Sequence, residues 1–238
     1  MGCDIHLYVE RRVNGVWESA DVWRPVHYYP HPVEVDFEDS YYEARNYFLF
    51  AALANVRNRY GLEPIAEPRG VPPDVSQPIR ERLSREYDFD WDHSHSWFTL
   101  AELLVYDWTK PVPLKGYLTA LDFARWKWEI NSSNFDISQP IQYNLLEIRD
   151  LQSEGKITIC DADQMIELLT SINPSFPQWK NRRSMGSLIG THYPKHYVDC
   201  EWQQPLYTLV GEFWSETMPR LLRLGKPEDV RIVFWFDN

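Results

Sequence analysis

The sequence predicts an α+β fold: a single domain over residues 1–238, built on a mostly antiparallel sheet that holds the N- and C-terminal strands and is covered by helices. Three observations carry this. Cys3, Ile5, Leu7 and Val9 alternate with Asp4, His6, Tyr8 and Glu10, the period of a strand with one buried face. Residues 230–236 form a second strongly β-prone run of β-branched and aromatic side chains. Between these ends lie stretches with apolar residues three and four apart, and no internal repeat divides the chain.

The elements follow in order. Asn14-Gly15 is a hairpin dipeptide, so residues 16–18 return as a second strand. Residues 21–39, with Pro25, Pro30 and Pro32, form an irregular segment or an edge strand. Ser40 and Glu43 match a capping box, which predicts a helix through the apolar run 47–53 with Gly61 as its stop. A proline-rich loop follows at about 62–80, since the prolines between 64 and 78 oppose regular structure. Thr99 and Glu102 form a second capping box that opens a helix to about Trp108, which places His93 and His95 just before a helix N-terminus. Helices are expected near 118–129, 142–153 and 161–172, and again over 206–224, closed by Gly225.

Composition narrows the function. Hydrophobic residues at 44% and charged residues at 25% exclude a disordered chain and a collagen-like one. With 24 basic and 35 acidic residues the net charge is −11, which disfavours long duplex nucleic acid while leaving room for a small anionic ligand in a locally basic pocket. Cys3, Cys160 and Cys200 are odd in number and lack CxxC spacing, which points to free thiols in a reducing, cytoplasmic setting. No apolar stretch reaches membrane-spanning length, so no membrane partner is expected. Met1-Gly2-Cys3 hints at acylation, but His6 stands where a myristoylation signal needs Ser or Thr.

Two polar pairs stand out, Asp4-x-His6 and His93-x-His95. Residues two apart on a strand project from one face at roughly 6–7 Å, so each pair is spaced to share a divalent metal or a substrate. Antiparallel pairing of the terminal strands would set Asp237 and Asn238 beside Asp4 and His6; parallel pairing would carry them toward Glu10. A plainer account stands beside this, with Asp4 and His6 on a solvated strand face and the histidines capping the following helix or packing on Trp91 and Trp97. Arg45, Arg57 and Arg69 offer fork-shaped donors for phosphate, or else pair with surface acids. Tyr8, Trp91 and Trp97 flank the polar candidates, where a flat base would stack. Pro194 opposes a metal-binding helix at His192 and His196, and Ser94 and Ser96 lie in no nucleophile-elbow motif.

The opening MGCDIH, the HSHSW segment before a helix and the closing RIVFWFDN resemble a protein family of phage and bacterial genomes that has no established activity. The likeness runs through blocks 1–10, 44–58, 68–76, 92–97 and 231–238, roughly a sixth of the chain in firm identities. It implies an intracellular, phage-associated role and supplies no mechanism.

The expectation from residues alone is a soluble hydrolase acting on a phosphoester or related bond of a small nucleotide-like substrate. Its catalytic residues would be His93, His95, Asp4 and His6, the same four holding a divalent metal if one is used, with Arg57, Arg69, Tyr8 and Trp97 binding substrate. The competing expectation is a non-catalytic protein that sequesters nucleotides or inhibits a host protein; a structural module is a third.

Overall fold

The computed structural model describes residues 2–25, 33–84, 91–129, 150–176 and 182–238. The first strands are β1 (Asp4–Val13), β2 (Val16–Ser19), β3 (Trp23–Pro25) and β4 (Val33–Val35). Helices α1 (Tyr47–Ala54) and α2 (Gln77–Leu83), strand β5 (His93–Thr99) and helix α3 (Leu100–Val105) come next. Then come β6 (Pro111–Thr119), α4 (Ala120–Glu129), β7 (Thr158–Cys160), α5 (Ala162–Ile172), α6 (Arg182–His192) and β8 (His196–Pro205). The chain closes with α7 (Leu206–Leu209), a π-helical turn Phe213–Thr217, α8 (Met218–Leu222) and β9 (Val230–Asp237).

The fold is α+β, and its elements group into two compact units, Met1–Val112 with Pro205–Asn238 and, between them in sequence, Pro113–Gln204. The first unit holds the expected sheet, in the order β2-β1-β9-β5 with every neighbour antiparallel. Asn14 and Gly15 both adopt positive φ, 49° and 86°, the conformation that a tight hairpin between twisted strands requires. β9 lies between β1 and β5 and is buried on both faces, which is why it reads as an unbroken apolar run. Ile5, Leu7, Val9, Phe234, Phe236 and Phe98 are all buried, and α1 packs there with the Phe50 ring 4.9 Å from that of Phe236. On the opposite face Val233 and Trp235 pack with Val75 and Ile79, and Tyr8, Trp23, Leu83 and Trp97 enclose them.

Local chemistry explains where several expected boundaries move. The helix expected from Ser40 starts only at Tyr47, where Asn46 is the cap; the Ser40 hydroxyl donates to the Phe37 carbonyl. Asn46 Oδ1 accepts from the Phe48 and Leu49 N–H groups while its amide donates to the Leu209 carbonyl. Asn46→Ala strips a cap and a tertiary bond together and is expected to cost about 1–2 kcal/mol, read as a lower urea midpoint at unchanged slope. The proline-rich loop ends earlier than expected, since Pro78 fits the first turn of α2. The Thr99/Glu102 box forms as predicted, though its helix stops at Val105. The single helix expected over 206–224 is broken, with Gly211 at φ +53° between α7 and the π-helical turn. Residues 142–153 fall mostly outside the described residues.

In the second unit a sheet ordered β6-β8-β7 pairs β7 and β8 in parallel. Val198, Cys200, Trp202 and Gln204 are buried in alternation along β8, and the Trp202 ring closes on the Cβ position of Gly116 at 3.4 Å. α5 carries a full capping box between Asp161 and Gln164 and buries Met165 and Leu169. Among the described residues no helix is long and apolar enough to cross a membrane, and all three cysteines are buried and unpaired.

Candidate functional site

Three strand ends build the site, and β9 joins them. Antiparallel pairing sets Asp4 opposite Asp237 and His6 opposite Trp235. His6 Nε2 lies 3.3 Å from Asp237 Oδ2, and Asp237 Oδ1 accepts the Asp4 N–H at 3.2 Å. Asp4, His6 and Asp237 thus form the cluster that antiparallel pairing predicts. The Asp4 carboxylate is itself engaged, gripped by Arg45 Nε and Nη2 at 2.8 and 2.6 Å. That bidentate bond holds the half-exposed Asp4 carboxyl below its ordinary range.

On the other side of β9 the two histidines part company. β5 slips register between His93 and Ser96, and Ser94 turns to φ 54°, so one residue bulges out of the ladder. His93 therefore lies against Phe236 at 5.9 Å, whereas His95 stacks on Trp235 at 5.8 Å. Phe236 and Trp235 are consecutive on a strand and face opposite ways, so His93 and His95 do too. The shared face expected of an extended His93-x-His95 is lost to the bulge. Trp235 also carries His6 on its far side, with ring centroids 5.3 Å apart. The indole thus stands between His6 and His95, and Asp4, His6, His93 and His95 do not converge as one ligand set. Among the described residues no three His, Cys, Asp or Glu side chains are grouped to hold a metal ion.

His93 instead looks into an open groove of ≈ 560 Å³ whose wall includes Arg57, Trp91, Asp92, Ser94 and Asn238. His93 Nδ1 lies 3.0 Å from Ser94 Oγ, and its Nε2 lies 4.0 Å from the buried Cys3 thiol. Burial and then the Arg57 charge push the imidazole below its ordinary pKa, against the opposing pull of Asp237 and an Asn238 hydrogen bond. Burial lowers His95 as well, helped by the charges of His93 and His6. Arg57 donates to Asn238 Oδ1 at 2.8 Å and is paired with no carboxylate among the described residues. Trp91 is 58% exposed at the rim. Among the described residues the non-glycine residues at positive φ are Asn14, Asn55, Arg57 and Ser94; the asparagines serve a turn and a helix cap, while the other two both line this groove.

The remaining expected substrate residues lie elsewhere. Arg69 is tied to Glu102 at 2.7 Å and lies over the Phe98 ring at 4.7 Å, so its charge is already matched. Tyr8 stacks between Trp23 at 5.1 Å and Trp235 at 5.3 Å within the covered face, and Trp97 packs against the same cluster. Asn238 joins Arg57 and His93, a role that residue type alone does not announce. Searched against protein-family models, curated proteins and solved structures, the chain has no match in any of the three.

Proposed function

We propose that the protein is a hydrolase of a phosphoester bond in a small nucleotide-like substrate, acting at the groove of Arg57, His93 and Trp91 in a cytoplasmic, phage-associated setting. The observation that carries this is the union on one open wall of a guanidinium with no acidic partner among the described residues and an imidazole held neutral. Arg57 presents donors of the fork geometry that phosphate oxygens accept. Trp91 offers an exposed ring face on which a base stacks. His93, neutral at physiological pH, has a lone pair to take a proton from the attacking group and return it to the leaving oxygen. The Asp237 carboxylate, which pairs with His6, favours the protonated form of His93 and opposes part of the downward shift. Buried, unpaired cysteines support a reducing compartment.

The test is turnover of p-nitrophenyl phosphate and of linear and cyclic nucleotides. His93→Ala is expected to lower kcat about 10²–10⁴-fold, and Arg57→Ala to raise KM for every phosphorylated substrate while circular dichroism stays unchanged. A group acting as base loses rate as pH falls through its pKa. Because that of His93 is depressed, the acid limb of kcat/KM is expected below about pH 6.5. Nucleotide that binds and is recovered intact from wild-type protein would replace the hydrolase with a sequestering protein.

A further inference from the structure

Resting on that phosphoesterase reading and going beyond it, we infer that Ser94 is the nucleophile of the groove, that it accepts the phosphoryl group as a phosphoserine intermediate, and that Asn238 positions His93 for the transfer. The hydroxyl of Ser94 lies 3.0 Å from His93 Nδ1, within reach for direct proton transfer. The imidazole shares the groove wall with Asn238, whose side chain favours the protonated ring. The transfer takes the tautomer with the ring N–H on Nε2, which leaves the lone pair on Nδ1, facing the serine. Nucleophile, base and orienting group thus stand in sequence, and all three line the groove that Arg57 enters. Arg57 also donates to Asn238 Oδ1, so the residue that aims the base is itself fixed by the phosphate donor.

The backbone supports the same assignment. Ser94 is the bulged residue of β5 and holds φ 54°, a conformation serine adopts only when the surroundings impose it. The bulge turns the serine out of the ladder and onto the groove wall, whereas Ser96, two residues on, is fully buried and accepts the Arg69 N–H. Of the two serines in the HSHS segment, only the strained one borders the groove.

The chemistry balances. In the first half the Oγ–P bond forms and the bond from phosphorus to the leaving oxygen breaks; the hydroxyl proton passes to His93 Nδ1 and from there to the leaving oxygen. In the second half a water oxygen bonds to phosphorus and the Oγ–P bond breaks, the water proton passing through Nδ1 back to Oγ. Arg57 holds the non-bridging oxygens throughout.

Acid quenching after mixing with p-nitrophenyl phosphate, followed by peptide mass spectrometry, is expected to find phosphate on Ser94. Ser94→Ala and Ser94→Gly are both expected to abolish the label and lower turnover about a thousandfold or more. Glycine adopts φ 54° without strain, so Ser94→Gly keeps the fold and its inactivity cannot be laid to misfolding. Asn238→Ala removes a side chain that favours protonated His93, so the acid limb of the pH profile is expected to move to still lower pH; an unmoved limb would deny Asn238 its positioning role. If Ser94→Gly turns over at the wild-type rate while His93→Ala does not, water attacks directly: the nucleophile is overturned and the phosphoesterase stands. Wild-type protein that shows neither label nor turnover overturns both.

Discussion

Arg231→Met is expected to destabilise the protein by about 3–5 kcal/mol, because it removes one partner of a buried ion pair and leaves the other charged in the interior. Arg231 is 2% exposed and donates from Nε to Glu10 Oε2, and Glu10 is fully buried. The other Glu10 oxygen accepts the Ser76 N–H at 2.6 Å, so this carboxylate anchors the loop entering α2 to β1. Arg231 also bonds to Asp74 at 2.8 Å, but Asp74 is 61% exposed and that contact is worth little. The Arg231 guanidinium lies over Trp17 at 4.1 Å and near Trp97 at 5.6 Å, so methionine keeps most of the apolar contact and the effect isolates the charge. The measurement is urea unfolding of wild type, Arg231→Met, Glu10→Gln and the double variant. The double variant is expected to be markedly more stable than the two single losses added together, since the second change removes the stranded charge. Additive losses, or a single-variant loss below about 1 kcal/mol, would show that the pair does not hold β1 to β9.

What the sequence discloses here is whatever short-range chemistry decides. β1 and β9 declare themselves by alternation and by β-branched and aromatic density, and the Thr99/Glu102 and Asp161/Gln164 caps form because each partner is three residues away. Ser40 and Glu43 have the same spacing and fail, because Asn46 can bond two amide N–H groups and the Leu209 carbonyl at once. That choice is tertiary. The strand β6 hides behind Pro111 and Pro113, which argue against a strand until the fold shows both at exposed positions beside buried Val112 and Leu114. β8 carries a legible alternation of Val198, Cys200, Trp202 and Gln204 with polar residues. At the site, the meeting of Asp4, His6 and Asp237 follows from strand direction alone, and the arrival of the HSHSW segment follows once it pairs with β9. The separation of His93 from His95 does not follow, since nothing local dictates a bulge at Ser94; its register is set by the β9 residues opposite. The groove residues Arg57 and His93 are legible by type, and their union is visible only after the fold has chosen which arginines spend themselves on Asp4 and Glu102.

Asp21→Asn is expected to stabilise the protein above about pH 7 by as much as about 4 kcal/mol and to leave it nearly unchanged near pH 4. Asp21 is 9% exposed; its Oδ2 accepts from the Val9 N–H at 2.9 Å and from Ser19 Oγ at 3.0 Å, while Oδ1 has no hydrogen-bond partner among the described residues. Burial, reinforced by the Glu10 charge and only partly offset by those hydrogen bonds, pushes its carboxyl up to about 7. The unfolded chain releases the same proton near the ordinary Asp value of about 3.9, so the folded state holds it more tightly throughout the interval between. Folded protein then binds more protons than unfolded, and stability falls as pH rises from about 4 to about 7 and is level beyond. Each pKa unit of that difference is about 1.4 kcal/mol, which sets the ceiling on the gain. Asparagine keeps the shape and an acceptor for Val9 and Ser19 but carries no charge, so the variant loses this slope. Unfolding midpoints of both proteins across that pH range check it directly. Parallel curves for wild type and variant would mean that Asp21 carries the same charge folded and unfolded, and that water or a neighbour meets its second oxygen.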